Sequence, residues 1–178
     1  MEDNVIVDTS FTAVINAPIE AVDIPAWCFS LPDAEYQGCS PAHVAAGATT
    51  ARDGRRMSIN VEVIGGTPMV QHYVEQVASP HQLILRSESD LFTAAGRTTM
   101  IVVWELSVKA LDGGRCEFTN RVHTYPTEAF MAYLDRQGIP FDVFRAQRTP
   151  YSAAHNAGET PLFAASLERF ALRQAAAA

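Results

Sequence analysis

The chain has 178 residues, a net charge of −7 at neutral pH and a hydrophobic content of 48%. This length suits a single domain with a sizeable core, which we place at residues 1–174, followed by a frayed tail at 175–178. The acidic charge argues against nucleic-acid binding, and no apolar run reaches the roughly 20 residues that a membrane span needs.

The three cysteines, Cys28, Cys39 and Cys116, are widely spaced and form no CxxC pair. The first residues are acidic and lack the hydrophobic stretch of a secretory signal. We therefore expect buried free thiols and a cytoplasmic location.

Strands dominate the first two thirds of the sequence. Alternating apolar residues predict a first strand over residues 5–15. Pro25, Pro32 and Gly38 limit the next segment to short helices. Six further strands are predicted at residues 43–52, 56–64, 69–77, 82–88, 98–111 and 115–125. Because each connection between them is too short for a parallel crossover, we expect an antiparallel sheet of seven strands.

Helical patterns follow the last strand. Apolar spacing predicts a helix over residues 129–137 and an amphipathic helix over 161–174. The Thr-Pro pairs at 149–150 and 160–161 both have the composition of a helix N-terminus. We therefore predict a linker or short helix over 139–149, a short helix over 150–157, and a kink or break near Gly158 before the main helix.

The stretch Ile-Asn-Ala-Pro-Ile-Glu-Ala-Val at residues 15–22, with this order of elements, resembles the START/Bet v 1-like superfamily. This superfamily (SRPBCC) includes polyketide cyclase/dehydrase and lipid-transport proteins. The resemblance implies an α+β helix-grip fold, in which a curved seven-stranded antiparallel sheet wraps around a long C-terminal helix. It also implies an apolar cavity between sheet and helix that binds a lipid, an aromatic compound or a polyketide. In some members this cavity supports cyclisation, dehydration or hydrolysis.

The apolar parity of the strands predicts which side chains would line such a cavity. Two polar residues, His72 and Asn120, share that parity and could orient a ligand, and His72 could act as a general acid or base. The alternatives are a dry, close-packed core and a histidine hydrogen-bonded within it. The predicted lining from the strands and the last helix is Met57, Ile59, Val61, Val70, His72, Val74, Met100, Val102, Trp104, Phe118, Asn120, Phe163, Leu167 and Phe170.

His155 and Glu159 lie four residues apart, and on a helical turn they could bind one Zn²⁺ together. This pair resembles diacetylphloroglucinol/phloretin hydrolases of the same superfamily. There, a His and a Glu from the sheet complete the metal site. The resemblance would assign these roles to His72 and Glu105, although Glu105 has the opposite parity to the inward Trp104. The alternative is a solvated histidine and a glutamate in a helix-start turn.

Three functions therefore remain open. The first is a cofactor-free module, with or without cyclase or dehydratase activity, that binds a hydrophobic small molecule. The second is a zinc-dependent hydrolase with His72, His155 and Glu159 as its candidate catalytic residues. The third is a domain that binds a protein partner or a second copy of itself as a homodimer.

Overall fold

A computed structural model describes residues 4–177 of the chain. A short 3-10 turn, Ile19–Ala21, follows the first strand. In chain order, the strands and helices are β1 (Val7–Ile15), α1 (Ile24–Ser30), α2 (Asp33–Gln37), β2 (His43–Thr50), β3 (Arg56–Ile64), β4 (Thr67–Ser79), β5 (Gln82–Thr93), β6 (Gly96–Leu111), β7 (Arg115–Pro126), α3 (Glu128–Gln137) and α4 (Phe141–Ala177).

The seven strands form one antiparallel sheet in the order β1-β7-β6-β5-β4-β3-β2. Consecutive strands from β2 to β7 are joined as hairpins, and β1 closes the other edge against β7. The turn between β3 and β4 uses Gly65 and Gly66, both at positive φ, which only glycine adopts without strain. The predicted α+β arrangement, with short helices after the first strand and a long C-terminal helix, is confirmed.

Helix α4 is continuous over 37 residues and includes both Pro150 and Pro161. The predicted break near Gly158 is therefore wrong, as is the prediction that the helix begins at either Thr-Pro pair. The threonine before each proline keeps its side chain bonded within the helix. Thr149 Oγ1 donates to the Arg145 carbonyl at 2.8 Å, and Thr160 Oγ1 donates to the Asn156 carbonyl at 2.5 Å. Each hydroxyl thus bonds to the preceding turn beside the place where proline removes a backbone donor.

The C-terminal half of α4 packs on the inner face of the sheet, which we define as the face toward this helix. Phe163 lies 5.8 Å from Trp104 of β6 and 5.7 Å from Trp27 of α1, measured between ring centroids. Trp27 Nε1 also donates to Ser166 Oγ of α4 at 2.9 Å. Leu167 is fully buried in the same core. Apolar burial of this kind is the main stabilising contribution to the fold.

On β6 and β7 the side chains on the inner face are the ones that the sequence predicts to face inward. On β3 and β4 they are the alternate set. Met100, Val102, Trp104, Phe118 and Asn120 are all buried on the inner side. On β3 the buried residues are instead Ser58, Asn60, Glu62 and Ile64, and on β4 they are Met69, Gln71 and Tyr73. The prediction of an inward orientation is therefore wrong for the half-buried Met57, Ile59, Val61, Val70, His72 and Val74.

The physical reason is that alternation identifies two faces without saying which one is buried. On β3 and β4 the inner side holds a polar site, so the apolar parity lies on the outer side.

No helix within residues 4–177 combines the length and apolar character of a membrane span. Cys28, Cys39 and Cys116 are free and buried, as predicted.

Candidate functional site

Two histidines and two glutamates meet on the inner side of the sheet. Glu159 Oε2 lies 3.0 Å from His43 Nε2 and 3.1 Å from His155 Nε2. The Glu62 carboxylate lies 3.9 Å from His43 Nε2 and 3.8 Å from His155 Nε2. We call these four residues the His–Glu cluster. Their side chains are at most 11% exposed, so the cluster is screened from bulk solvent.

One strand pairing and one turn of helix bring the four side chains together. His43 begins β2 directly opposite Glu62 of β3, so the two side chains leave the same edge of the sheet on the same face. His155 and Glu159 lie one turn apart on α4, where residues at i and i+4 share a face. The turn between them is helical because α4 does not end before Pro161.

Each histidine has a second partner on its other ring nitrogen. His43 Nδ1 donates to the Tyr36 carbonyl at 2.7 Å, and the Tyr36 ring stacks on the imidazole at 3.9 Å between centroids. Because a carbonyl only accepts, His43 Nδ1 carries a proton; Nε2 then donates to Glu159 when the ring is doubly protonated and offers a lone pair to a metal ion when the ring is neutral. His155 Nδ1 contacts Ser40 Oγ at 3.3 Å.

Each glutamate is also held by a donor from outside the cluster. The Tyr36 hydroxyl donates to Glu62 Oε1 at 2.5 Å, and Asn120 Nδ2 donates to Glu159 Oε1 at 3.0 Å. The Asn120 amide is oriented in turn by Trp104 Nε1, which donates to its Oδ1 at 2.8 Å. Such outer contacts are typical of residues that bind a metal, because they fix the direction of each ligand atom.

The donor set and its spacing fit a tetrahedral metal ion. The ligand atoms of His43, His155 and Glu159 all lie within 4.8 Å of one another. With bonds of about 2.0–2.1 Å, the ligand atoms around Zn²⁺ stand roughly 3.3 Å apart. The observed separations of 3.0–3.9 Å lie on both sides of that value. The 3.0 Å contact between His43 Nε2 and a carboxylate oxygen is favourable only with a proton or a cation between the two atoms.

The buried charges perturb one another's protonation. Burial raises the pKa of Glu62, and the nearby charge of Glu159 raises it further. Burial alone would also raise the pKa of Glu159, but hydrogen bonds from His155 and His43 outweigh it and lower that pKa to about 2. Burial lowers the pKa of His155, yet the hydrogen bond and charge of Glu159 dominate and raise it. The site therefore favours the ionised form of Glu159 and the protonated form of His155, and it disfavours ionisation of Glu62.

Two spaces adjoin the cluster. The inner cavity, of about 40 Å³, is lined by residues of β3, β4, β6, β7 and α4, among them Asn60, Gln71, Trp104 and Phe163. It has room for about two or three water-sized groups. The outer groove, of about 310 Å³, has walls that include Pro41, Val63, Tyr151 and Leu162, and it shares Ile64 and His155 with the inner cavity. His155 thus stands where the two spaces meet.

Sequence reasoning identified the helical half of the cluster and missed the sheet half. His155 and Glu159 lie in it, and Asn120 supports it. His72 does not, because it lies on the outer face with its backbone N–H donating to Ser87 Oγ. Glu105 is also on the outer face, 3.5 Å from His123. The assignment of His72 and Glu105 to a metal site is therefore wrong.

The correct sheet residues, His43 and Glu62, carried one usable signal. Glu62 belongs to the polar parity of a strand that alternates without interruption, so its side of the strand either faces solvent or lines a site. Because the same chain contains a His-x-x-x-Glu pair, the pattern favours the interpretation that this side of the strand lines a site. His43 stands at a strand start, and only the pairing register brings it to Glu62.

Solved structures show which fold this is. The Zhui aromatase/cyclase from Streptomyces sp. R1128 superposes with a TM-score of 0.65 at 12% identity, covering 91% of this chain and 93% of that one. A START superfamily protein from Mycobacterium smegmatis gives a TM-score of 0.53 at 15% identity, covering 93% and 97%. The di-domain aromatase/cyclase StfQ of the steffimycin pathway gives 0.59 at 11% identity, covering 98% of this chain and 54% of StfQ.

At these identities the likeness shows the fold alone, and the chain has a START/Bet v 1-like fold. No protein-family model matches the sequence, and no curated protein matches it.

Proposed function

We propose that the protein is a metal-dependent hydrolase of small aromatic or polyketide-like molecules, with the His–Glu cluster as its metal site. The observation that carries this proposal is the convergence of His43, Glu62, His155 and Glu159 in one buried site. Two of these residues come from the sheet and two from the helix. This is the arrangement implied by the resemblance to diacetylphloroglucinol/phloretin hydrolases, with His43 and Glu62 in place of His72 and Glu105.

A bound zinc ion would act as a Lewis acid that polarises a substrate carbonyl and acidifies water. Around it, each protein group has a separate task. Tyr36 and Asn120 hold the two carboxylates in place. Trp104 and Phe163 form an apolar wall that excludes bulk water, which strengthens every charge interaction in the site. The outer groove provides room for a substrate ring next to His155.

The first experiment measures zinc content. Purified protein is stripped with a chelator, incubated with zinc, desalted and analysed by elemental mass spectrometry. We expect one equivalent per chain in the wild type and less than a tenth in His43→Ala and His155→Ala. His123→Ala is the matched control, because His123 also lies 3.5 Å from two carboxylates, Asp8 and Glu105, but outside the cluster. A wild type that binds less than a tenth of an equivalent would overturn the proposal.

The second experiment measures the reaction. Hydrolysis of an acylated phenol adds the oxygen of water to the acyl carbon and a proton to the ring carbon. Zinc-loaded protein is incubated with diacetylphloroglucinol and with phloretin, and the carboxylic acid released is followed by mass spectrometry. We expect release that stops after chelation and returns with zinc. Release that is equal in wild type and His155→Ala would contradict the proposed role of the cluster.

A second candidate function is cyclisation or dehydration of a polyketide-like ligand without a metal. It is supported by the likeness to two aromatase/cyclases and by the contact between His155 and Glu159, which could act as an acid–base pair. The zinc measurement separates the two, because this function predicts no stoichiometric metal. The binding of a protein partner, the homodimer and the cytoplasmic location remain predictions from the sequence.

A further inference from the structure

Of the residues that the structure describes, Arg148 supplies the one arginine or lysine side chain in the inner cavity wall. It is 9% exposed. Its Nη1 donates to the Ile64 carbonyl at 2.7 Å and its Nη2 contacts Met69 Sδ at 3.1 Å. A guanidinium carries five N–H donors, so three of them have no partner in these contacts. Among residues 4–177, no carboxylate lies within 4.0 Å of it.

A buried guanidinium without an ion pair is costly to maintain, because its loss of hydration is offset only by the longer-range attraction of Glu62. The positive charge of Arg148 would also remain unbalanced after a metal ion had bound to the cluster. Two glutamates of the cluster neutralise a dication, and Arg148 then adds one positive charge to the loaded site. An anionic oxygen from a ligand would balance that charge.

Gln71 supplies a second, independent observation in the same wall. It is 4% exposed, lines the inner cavity, and its Oε1 has no hydrogen-bond partner among residues 4–177. Gln71 follows Met69 by two residues on β4, so both side chains leave the inner face next to each other. The Gln71 acceptor and the Arg148 donors therefore belong to residues that line the same cavity, and a ligand group there that satisfies both needs an anionic oxygen and a hydroxyl hydrogen.

We propose that Arg148 and Gln71 form a subsite that binds an anionic oxygen of the substrate and a neighbouring hydroxyl group. The ligand class is a small hydroxylated aromatic molecule with a carboxylate or an ionised phenol. Its ring occupies the outer groove, and its charged end enters the inner cavity past Ile64, whose carbonyl Arg148 already holds. The inner cavity admits a group of this size but not a whole ring. This inference deepens the proposed function, since it names the substrate class of that site.

The test uses isothermal titration with four probes on the full chain, with and without one equivalent of zinc. Benzoate supplies a carboxylate, salicylate adds a neighbouring hydroxyl, benzamide is the neutral counterpart, and 4-nitrophenol represents an ionised phenol. We expect salicylate to bind more tightly than benzoate and both to bind at least tenfold more tightly than benzamide. If 4-nitrophenol binds more tightly than benzoate, the anionic oxygen is phenolic; the reverse order identifies a carboxylate.

Arg148→Met should weaken benzoate and salicylate at least tenfold and leave benzamide unchanged. Gln71→Leu should abolish the preference for salicylate over benzoate. Arg145→Met is the matched control, since Arg145 lies three residues earlier on α4 but is exposed and paired with Asp142. Zinc stoichiometry is measured on every variant, and near-ultraviolet circular dichroism confirms its fold.

Equal benzoate affinity in wild type and Arg148→Met, or equal affinity for benzoate and benzamide, would overturn the inference. The metal proposal fails on a different reading, the zinc content. If no zinc binds, the titrations on zinc-free protein still decide whether Arg148 recognises an anion.

Discussion

The two halves of α4 lie on the same sheet and bury opposite kinds of side chain. From residue 163 onward, the buried positions are mostly apolar, including Phe163, Leu167 and Ala171. Before that point they are polar, including Arg148, Asn156 and Glu159. The sheet matches this division, with apolar inner residues on β6 opposite the C-terminal half and polar inner residues on β3 near the N-terminal half.

The apolar core and the candidate site therefore occupy different halves of the same helix. Burial of apolar surface stabilises the C-terminal half by roughly 25 cal/mol per Å². The N-terminal half instead buries ionisable groups, which destabilise a fold unless they are paired or bind a ligand. A region that retains such a cost within a continuous helix is where a binding site is expected.

The largest effect should come from the apolar half. Leu167→Ala removes a fully buried side chain and leaves a cavity, so we expect it to reduce the free energy of unfolding by about 2–5 kcal/mol. Leu167 was predicted from the sequence to line the ligand cavity, but it is absent from the inner cavity wall, so zinc stoichiometry should not change. Leu172→Ala, at a position 47% exposed on the same helix, is the control and should change stability by less than about 0.5 kcal/mol. A loss of zinc in Leu167→Ala with retained fold would remove the distinction between the halves.

A substitution in the His–Glu cluster, on the part of β3 near the N-terminal half of α4, should stabilise the metal-free protein. Glu62→Gln removes a buried carboxyl group whose pKa is raised by burial and by Glu159, and it retains the oxygen that accepts from Tyr36. We expect a gain of about 1–3 kcal/mol in the free energy of unfolding at pH 8, with zinc affinity reduced at least tenfold. Chemical denaturation of zinc-free protein and zinc titration measure the two quantities. Lower stability together with unchanged zinc affinity would contradict the assignment of Glu62 to the metal site.

The pH dependence of the metal-free protein should follow from the same groups. Glu159, with its pKa lowered from 4.5 to about 2, contributes stability above pH 4.5 that is lost as the pH falls toward 2. His155, with its pKa raised above 6.5, contributes stability below pH 6.5 that is lost as the pH rises through the folded-state pKa. Glu62, whose pKa is raised above 4.5, also contributes stability that is lost as the pH rises through its folded-state pKa. We therefore expect stability to be highest between about pH 4.5 and 6.5 and to decrease by about 1 kcal/mol or more toward pH 8.

Zinc should reverse this trend, because binding requires deprotonated ligands and so strengthens as the pH rises. Denaturation curves at pH 5, 6.5 and 8, with and without zinc, measure both effects. A zinc-induced gain in stability that is larger at pH 5 than at pH 8 would be inconsistent with ligation by His155 and Glu62.

The contrast between the halves also explains what could be predicted from sequence. Strand alternation and short connections were sufficient for the antiparallel sheet, because hairpin geometry is local. The helical spacing of His155 and Glu159 was readable for the same reason. The buried face of β3 could not be predicted, because strand alternation distinguishes two faces without saying which one is buried. On this strand the inner face carries the polar side chains of the candidate site, and the apolar set lies on the outer face. The continuity of α4 was missed because each Thr-Pro pair has the composition of a helix start, whereas the helix runs through both prolines.

The smallest effect is expected at His72, the histidine that sequence parity placed inside. It lies half-buried on the outer face of β4, and its backbone N–H donates to Ser87 Oγ. His72→Ala preserves that donor, so we expect a change in unfolding free energy within about 0.5 kcal/mol, one equivalent of zinc and unchanged benzoate affinity. His155→Ala, measured in parallel, should lose the zinc. Loss of zinc in His72→Ala as well would mean that His72 lies on the inner face of β4, and the metal site would then have to include His72.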